Sequence, residues 1–287
     1  MAVELAKYGF LFAIALIWII FATIQDLKKR EVPNWLNFSL VAFALAYRAF
    51  FSAYSSEWSF FIFGVLGFAI FFGLANLFYY SHVFAGGDAK LLMGLGIVLP
   101  YSNYFDFLTF GFGFIAVLFF LGAAYSLIYS VFIARKNYSR FALEFKKNLG
   151  KMRYMFISLL FVVVFAFVSL VLGFFSSMLL FVYLVLAILL FLLFVYVKSL
   201  DVCIIKSVHP KSLTEGDWIV GDIKLRGYVV KKSVHGLGEE DIERLRKAGK
   251  MVLVKEGIPF TPAFLFAFLA MVFFFSFSGL DFLALLF

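Results

Sequence analysis

Long apolar runs separated by short polar stretches set the pattern of this chain. The runs cover 8–25, 35–51, 58–80, 89–104, 107–133, 154–174, 177–197 and 262–286. A helix that crosses a bilayer needs about 20 mostly apolar residues, so the pattern predicts about eight transmembrane helices. The fourth run is short and contains Gly94, Gly96 and Pro100; it is expected to tilt or to draw on its polar flanks. Only residues 173–177 part the sixth run from the seventh, which predicts a tight helical hairpin. The periodicity changes in 198–258. There Trp218–Val220, Tyr228–Val230 and Met251–Val254 read as short strands, and Glu239–Ala248 reads as an amphipathic helix, with Ile242 and Leu245 on one side and Gly249 as its stop. The expected fold class is an all-α polytopic membrane protein with a small α+β domain. Its parts are helices one to seven in 1–197, the soluble domain in 198–258, and a last transmembrane helix in 259–287.

Composition supports lipid as the solvent. Of 287 residues, 64% are hydrophobic and 15% charged, with a mean hydropathy of +1.03; a soluble domain runs nearer half apolar and a quarter charged. Cys203 is the single cysteine, which excludes an intramolecular disulfide and a four-cysteine metal site. The first apolar run is long, is followed by basic residues and has no small-residue cleavage site behind it, so it is read as a retained helix rather than a signal peptide.

The net charge of +8 suggests nucleic acid only until the basic residues are placed. With the N-terminus outside, 23 of the 25 Lys and Arg fall in inward gaps, and only Lys7 and Arg48 fall outward. The positive-inside rule then puts both termini outside, in a cell membrane, and makes lipid, not nucleic acid, the partner. The rule weakens over the long stretch 198–258; leaving that stretch out still gives 11 against 2.

An ionisable residue at the edge of a membrane span is costly and points to function. Asp26 closes the first apolar run and Asp88 opens the fourth, so the topology brings both to one face. Two carboxylates in contact do not both ionise cheaply: one keeps a proton and the other accepts one. Such a pair can deprotonate water and protonate a leaving amine. Taken singly, Asp26 also reads as a polar cap beside Lys28 and Lys29, and Asp88 as a first-turn residue favoured by the helix dipole.

Their surroundings favour chemistry. The stretch Asp26-Leu-Lys-Lys-Arg-Glu-Val-Pro-Asn-Trp35 resembles the first catalytic motif of type IV prepilin peptidases, most closely the archaeal preflagellin branch. Phe84-Ala-Gly-Gly-Asp-Ala-Lys-Leu-Leu-Met-Gly-Leu-Gly96 resembles their second, the glycine-x-glycine-aspartate motif. The resemblance covers residues 5–130; Leu213–Asp217 and Glu256–Phe260 resemble archaeal members with a C-terminal extension. It implies an aspartic endopeptidase with Asp26 and Asp88 as the catalytic pair. The substrate it implies is an archaellin or pilin-like precursor, whose short basic leader is cut on the cytoplasmic side. No metal or other cofactor is implied. The methylating activity of bacterial relatives accompanies a cysteine-rich loop that this chain does not have, so cleavage alone is expected. The family's first motif glycine falls at Ala85 here, with Gly86 and Gly87 behind it.

Around the pair, Gly86 and Gly87 are expected to allow close backbone approach. Lys90 reads either as a charge holding one aspartate ionised or as a snorkelling anchor, with the anchor favoured. Pro33-Asn34 reads as the turn into helix two, and Asn76 as an interhelical hydrogen bonder. His82 is read as a loop residue without a catalytic role. Pro259 and Pro262 read as an ordinary helix start. Asp106 and Asp281 fall on the opposite face. Two competing readings remain. A presenilin- or signal-peptide-peptidase-like protease sets its first aspartate after tyrosine within a span, whereas Gln25 precedes Asp26. An ion-coupled transporter often carries internal repeats, and this chain shows none. The oligomeric state is left open by the sequence.

Overall fold

The computed structural model describes residues 2–151, 153–171, 177–225, 227–233 and 236–277. The chain forms two compact units, Met1–Ile128 with Ile258–Phe287, and Tyr129–Gly257. By this grouping the helix that follows residue 258 packs with the first ones.

The first unit contains α1 (Ala2–Lys29), α2 (Asn34–Ser55), α3 (Trp58–Tyr80) and α4 (Gly86–Val98). A π-helical turn, Phe107–Phe112, leads into α5 (Gly113–Lys136), and the last helix is α10 (Thr261–Phe277). Each long helix buries one stripe at steps of three or four residues. On α1 the stripe is Tyr8, Leu11, Ala15, Ile19, Ala22 and Asp26; on α2 it is Leu36, Leu40, Ala44, Arg48 and Ser52; on α3 it is Phe60, Gly64, Gly67, Phe71 and Ala75. The rest of α3 is apolar and exposed, as at Ile62, Leu66, Ile70 and Leu77. Helices that are apolar all round face lipid. Among the described residues five helices are long and apolar enough to cross a membrane: Lys7–Lys29, Asn34–Ser55, Trp58–Tyr80, Phe107–Lys136 and Val182–Leu200. This is a multi-pass membrane protein.

The fourth apolar run departs from a continuous 89–104 span. Helix α4 starts earlier, at Gly86, and has 13 residues, about 20 Å of helix against a bilayer core of about 30 Å. It stops because Leu99, with ψ 147°, precedes Pro100, and a residue before proline is pushed out of the helical region. The extended segment that follows is tied to α1: Tyr8 donates its hydroxyl to the Tyr101 carbonyl at 2.8 Å.

Backbone that leaves its helix inside such a bundle needs donors for its carbonyls. Arg48 supplies them. It is fully buried and donates to Ile97 O (2.7 Å), Leu99 O (2.8 Å) and Phe60 O (2.6 Å). Its guanidinium lies 4.4 Å from the Phe60 ring centre. Arg48 is therefore a buried clamp. Helices α3 and α4 cross closely at Gly67 and Gly96, where an added Cβ on Gly96 would lie 2.7 Å from the Gly67 carbonyl oxygen. Small residues permit such approaches between membrane helices. Asn76 donates to Phe72 O of its own helix at 2.8 Å, so the expected interhelical bond is replaced by an intrahelical one.

The second unit holds α6 (Tyr138–Lys151), α7 (Arg153–Val171) and α8 (Ser177–Leu200). The predicted hairpin turn between α7 and α8 lies outside the described residues. Helix α6 was not foreseen: the basic stretch 134–153 reads as a loop, yet it forms an amphipathic helix along α8. There Asn148 donates to Ser199 Oγ at 3.1 Å and Phe141 meets Tyr196 edge to face. A small sheet follows, in the order β1 (Ile205–Val208), β5 (Val252–Lys255), β2 (Trp218–Ile219), with both pairings antiparallel. Strands β3 (Ile223–Leu225) and β4 (Tyr228–Val230) form a separate hairpin. Helix α9 (Glu239–Ala248) has acids in its first turn, Arg246 and Lys247 in its last, and Gly249 at φ 65° as its C-cap. Ile242 and Leu245 pack against Leu213, Ile219, Val230, Val252 and Val254. Strands β2, β4 and β5 and this helix match the sequence expectation to within a residue or two; β1 and β3 were not anticipated.

Candidate active site

Asp26 lies on the buried stripe of α1, one step past Ala22, and is 7% exposed. Its Oδ2 accepts two hydrogen bonds from one residue: the Thr261 N–H at 3.1 Å and the Thr261 hydroxyl at 2.8 Å. Thr261 is fully buried and opens α10. Thr23 Oγ1, one turn before Asp26, reaches the Thr261 carbonyl at 3.5 Å. Sequence reasoning missed Thr261. A threonine before proline at the start of an apolar run is an ordinary helix opening, and nothing local links it to an aspartate 235 residues earlier.

Asp88 stands in the first turn of α4. As a residue it is partly covered. It lies outside the five long spans, and its pKa is raised to about 7. Burial is the larger cause and the nearby Asp26 carboxylate the second, opposed by a backbone hydrogen bond from Ala85. The two aspartates are thus electrostatic neighbours. Asp88 is the member driven toward the protonated form, while Asp26 accepts two hydrogen bonds from Thr261.

The rest of the second motif shapes this end of α4. Ala85 is the residue before the helix, with φ −70° and ψ 163°. Any residue adopts that conformation, so the position does not require the family's glycine. Gly87 sits against Val32 of the first motif, where an added Cβ would lie 3.2 Å from the Val32 Cβ. Gly86 is less confined, with Tyr79 at 3.7 Å from such a carbon. Lys90 donates to Asn34 Oδ1 at 2.6 Å, tying α4 to the start of α2. Asn37, buried beside it, reaches the Gly87 carbonyl at 3.5 Å. Lys28 and Lys29 are exposed in the last turn of α1. An open cleft beside this turn is lined by Gln25, Lys29, Glu31, Pro33 and Trp35.

Other singled-out residues fall elsewhere. Asp106 accepts from the N–H groups of Ser102 (2.6 Å) and Asn103 (3.1 Å) and stabilises that turn. Asp281 lies outside the described residues. Among the described residues no group of three or more His, Cys, Asp or Glu side chains could hold a metal ion.

Residues 13–133, which carry both aspartates, match the type IV leader peptidase family. Over that region the resemblance drawn from the two motifs is borne out. The curated relatives include the preflagellin peptidase of Methanocaldococcus jannaschii, 36% identical over 92 residues, which is 32% of this chain and 39% of that one. The preflagellin peptidase of Methanococcus voltae is 27% identical over 136 residues, 45% of this chain and 58% of that one. The preflagellin peptidase of Methanococcus maripaludis is 30% identical over 89 residues, 31% of this chain and 38% of that one. The chain thus spans between 38% and 58% of the length of these relatives. No solved structure matches it.

Proposed function

We propose that this protein is a membrane aspartic endopeptidase that removes the short leader of archaellin or type IV pilin-like precursors. The observation that carries the reading is the pair itself: Asp26, hydrogen-bonded as an acceptor, lies near Asp88, whose pKa is raised to about 7 by burial first and by the Asp26 carboxylate second. Like charges pushed to different protonation states are the signature of a shared-proton dyad. The family match over 13–133 and the names of the relatives agree with it.

In this reading Asp26 is the base. It takes a proton from water as the water oxygen bonds to the scissile carbonyl carbon, and Asp88 gives its proton to the carbonyl oxygen. The resulting diol collapses: the C–N bond breaks, the amine leaves with the proton held by Asp26, and Asp88 recovers a proton from a diol hydroxyl. The cleft beside Gln25 and Trp35 is the proposed seat of the substrate chain, with Glu31 suited to a basic leader. The charge distribution supports a cytoplasmic site, both termini outside and eight passages in all, with α4 completed by its extended tail. Both aspartates fall within the proposed transmembrane portion 1–197, and 259–287 adds its helix to the site.

The test is cleavage of leader-bearing precursors by the purified full chain, with product N-termini read by mass spectrometry. Asp26→Asn and Asp88→Asn are each expected to lower the rate by about 1,000-fold or more while the protein stays folded. Substantial cleavage by either variant would remove the dyad.

A further inference from the structure

A pair of carboxyls that shares one proton needs something to decide which member keeps it. We propose that Thr261 is a positioning residue that, from the start of α10, fixes Asp26 as the proton acceptor of the pair. This proposal rests on the peptidase reading.

Three observations converge. First, the main-chain N–H of Thr261 can only donate, and it points at Asp26 Oδ2 at 3.1 Å. An acceptor facing a fixed donor is favoured in its ionised form. Second, the hydroxyl of the same residue donates to the same oxygen at 2.8 Å, so both bonds fall on one atom and orient the carboxylate. Third, the first turn of α10 offers no nearby substitute. Pro262 has no N–H, and the Ala263 N–H is spent on Phe260 O at 2.9 Å. Thr261 is fully buried and its carbonyl faces Thr23 at 3.5 Å, so the donor geometry is held from both sides. Asp88 also receives a backbone hydrogen bond, from Ala85, but burial and the Asp26 carboxylate outweigh it and drive that carboxyl toward the protonated form.

The charged groups around Asp26 leave this assignment intact. Helix α4 contributes Asp88, and Lys90, which is bonded to Asn34 of α2. The described part of α10 carries no charge, nor do the first turns of α2. On the α1 side, Lys28, Lys29 and Arg30 follow Asp26 at the helix end. The Thr261 N–H and hydroxyl are directed donors on Oδ2, and the Lys90 ammonium is bonded to Asn34.

The experiment compares wild type, Thr261→Val and Thr261→Ser in the full chain, measuring kcat and KM for precursor cleavage from pH 4 to 9. The Val variant is expected to lose about 10-fold or more in kcat with KM within about twofold, and its acidic limb should move to higher pH by about one unit. Ser should restore both. A Val variant whose profile keeps the wild-type shape, or a Ser variant no better than Val, would overturn the proposal. A second measurement does not use activity: carbodiimide labelling of Asp26 against pH, in an Asp88→Asn background, read by mass spectrometry. Labelling needs the protonated carboxyl, so Thr261→Val should extend it to higher pH; an unchanged profile would also overturn the proposal. Cleavage by Asp26→Asn or Asp88→Asn would instead sink the peptidase reading. Loss of cleavage in those variants with a normal Thr261→Val profile would sink only this inference.

Discussion

The two ends of helix α4 solve opposite problems within one short element. At its C-terminal end, orphan carbonyls of Ile97 and Leu99 meet the buried Arg48, whose rigid fork of donors serves three carbonyls at once. At its N-terminal end, burial and then the nearby Asp26 carboxylate push the Asp88 carboxyl up to about 7, above the ordinary carboxylate range. The first end is buried, and its freed carbonyls are served by Arg48. The second end concentrates like charges. One end satisfies its backbone carbonyls, and the other sets two carboxyls near each other, the arrangement on which the proposed chemistry rests.

Exchanging the character of the ends is the sharpest way to test this contrast. Asp88→Asn should remove cleavage almost wholly, by about 1,000-fold or more, yet raise the melting temperature at pH 8. The sign follows from the raised value: the fold favours the protonated carboxyl, so this stabilisation is present at low pH and is lost as pH rises through about 7. A lower melting temperature for Asp88→Asn at pH 8 would contradict the assignment. Arg48→Met should do the reverse, destabilising the first unit by about 3 kcal/mol or more through unpaired carbonyls, as read by thermal unfolding in detergent. Arg48→Lys should rescue little, since one ammonium does not reproduce the planar fork.

A smaller loss is expected from Gly64→Ala, whose added Cβ would lie 2.6 Å from Arg48 Nε; about 1–3 kcal/mol is expected, without a change in the pH profile. On the wild-type protein, cleavage should decline about tenfold per pH unit once Asp88 is deprotonated, above about pH 8. A rate still rising at pH 9 would contradict its role as the acid. The smallest effect belongs to Lys90→Gln. Its ammonium is committed to Asn34, so kcat should change less than about threefold; a loss near that of Asp88→Asn would mean that Lys90 acts on the dyad directly.

Much of the first unit was legible because its signals are local. The stripe Tyr8, Leu11, Ala15, Ile19, Ala22 leads by its own period to Asp26 on the buried face. The two aspartate motifs were readable for the same reason. The same stripe logic on α2 runs from Leu36 through Leu40 and Ala44 to Arg48, and could have marked that arginine as buried. Hydropathy instead treats an arginine near a span end as a topology marker. The true length of α4 was hidden, because a run of apolar residues does not reveal whether its carbonyls are satisfied along the helix or from a neighbour. Helix α6 was masked by its own lysines and arginines, which dominate the composition of 134–153 although Phe141 and Phe145 recur at helical spacing. Thr261 was out of reach of any local reading, since its meaning lies in a contact across 235 positions.

That separation has a temporal consequence. Synthesis delivers Asp26 early and Asp88 soon after, but the threonine that steadies the first of them emerges only when most of the chain has been translated. A nascent polypeptide halted before residue 261 carries both acidic side chains and neither of the donors. Completion of the proposed pair is therefore tied to docking of α10, which is made long after the helices that carry the two aspartates.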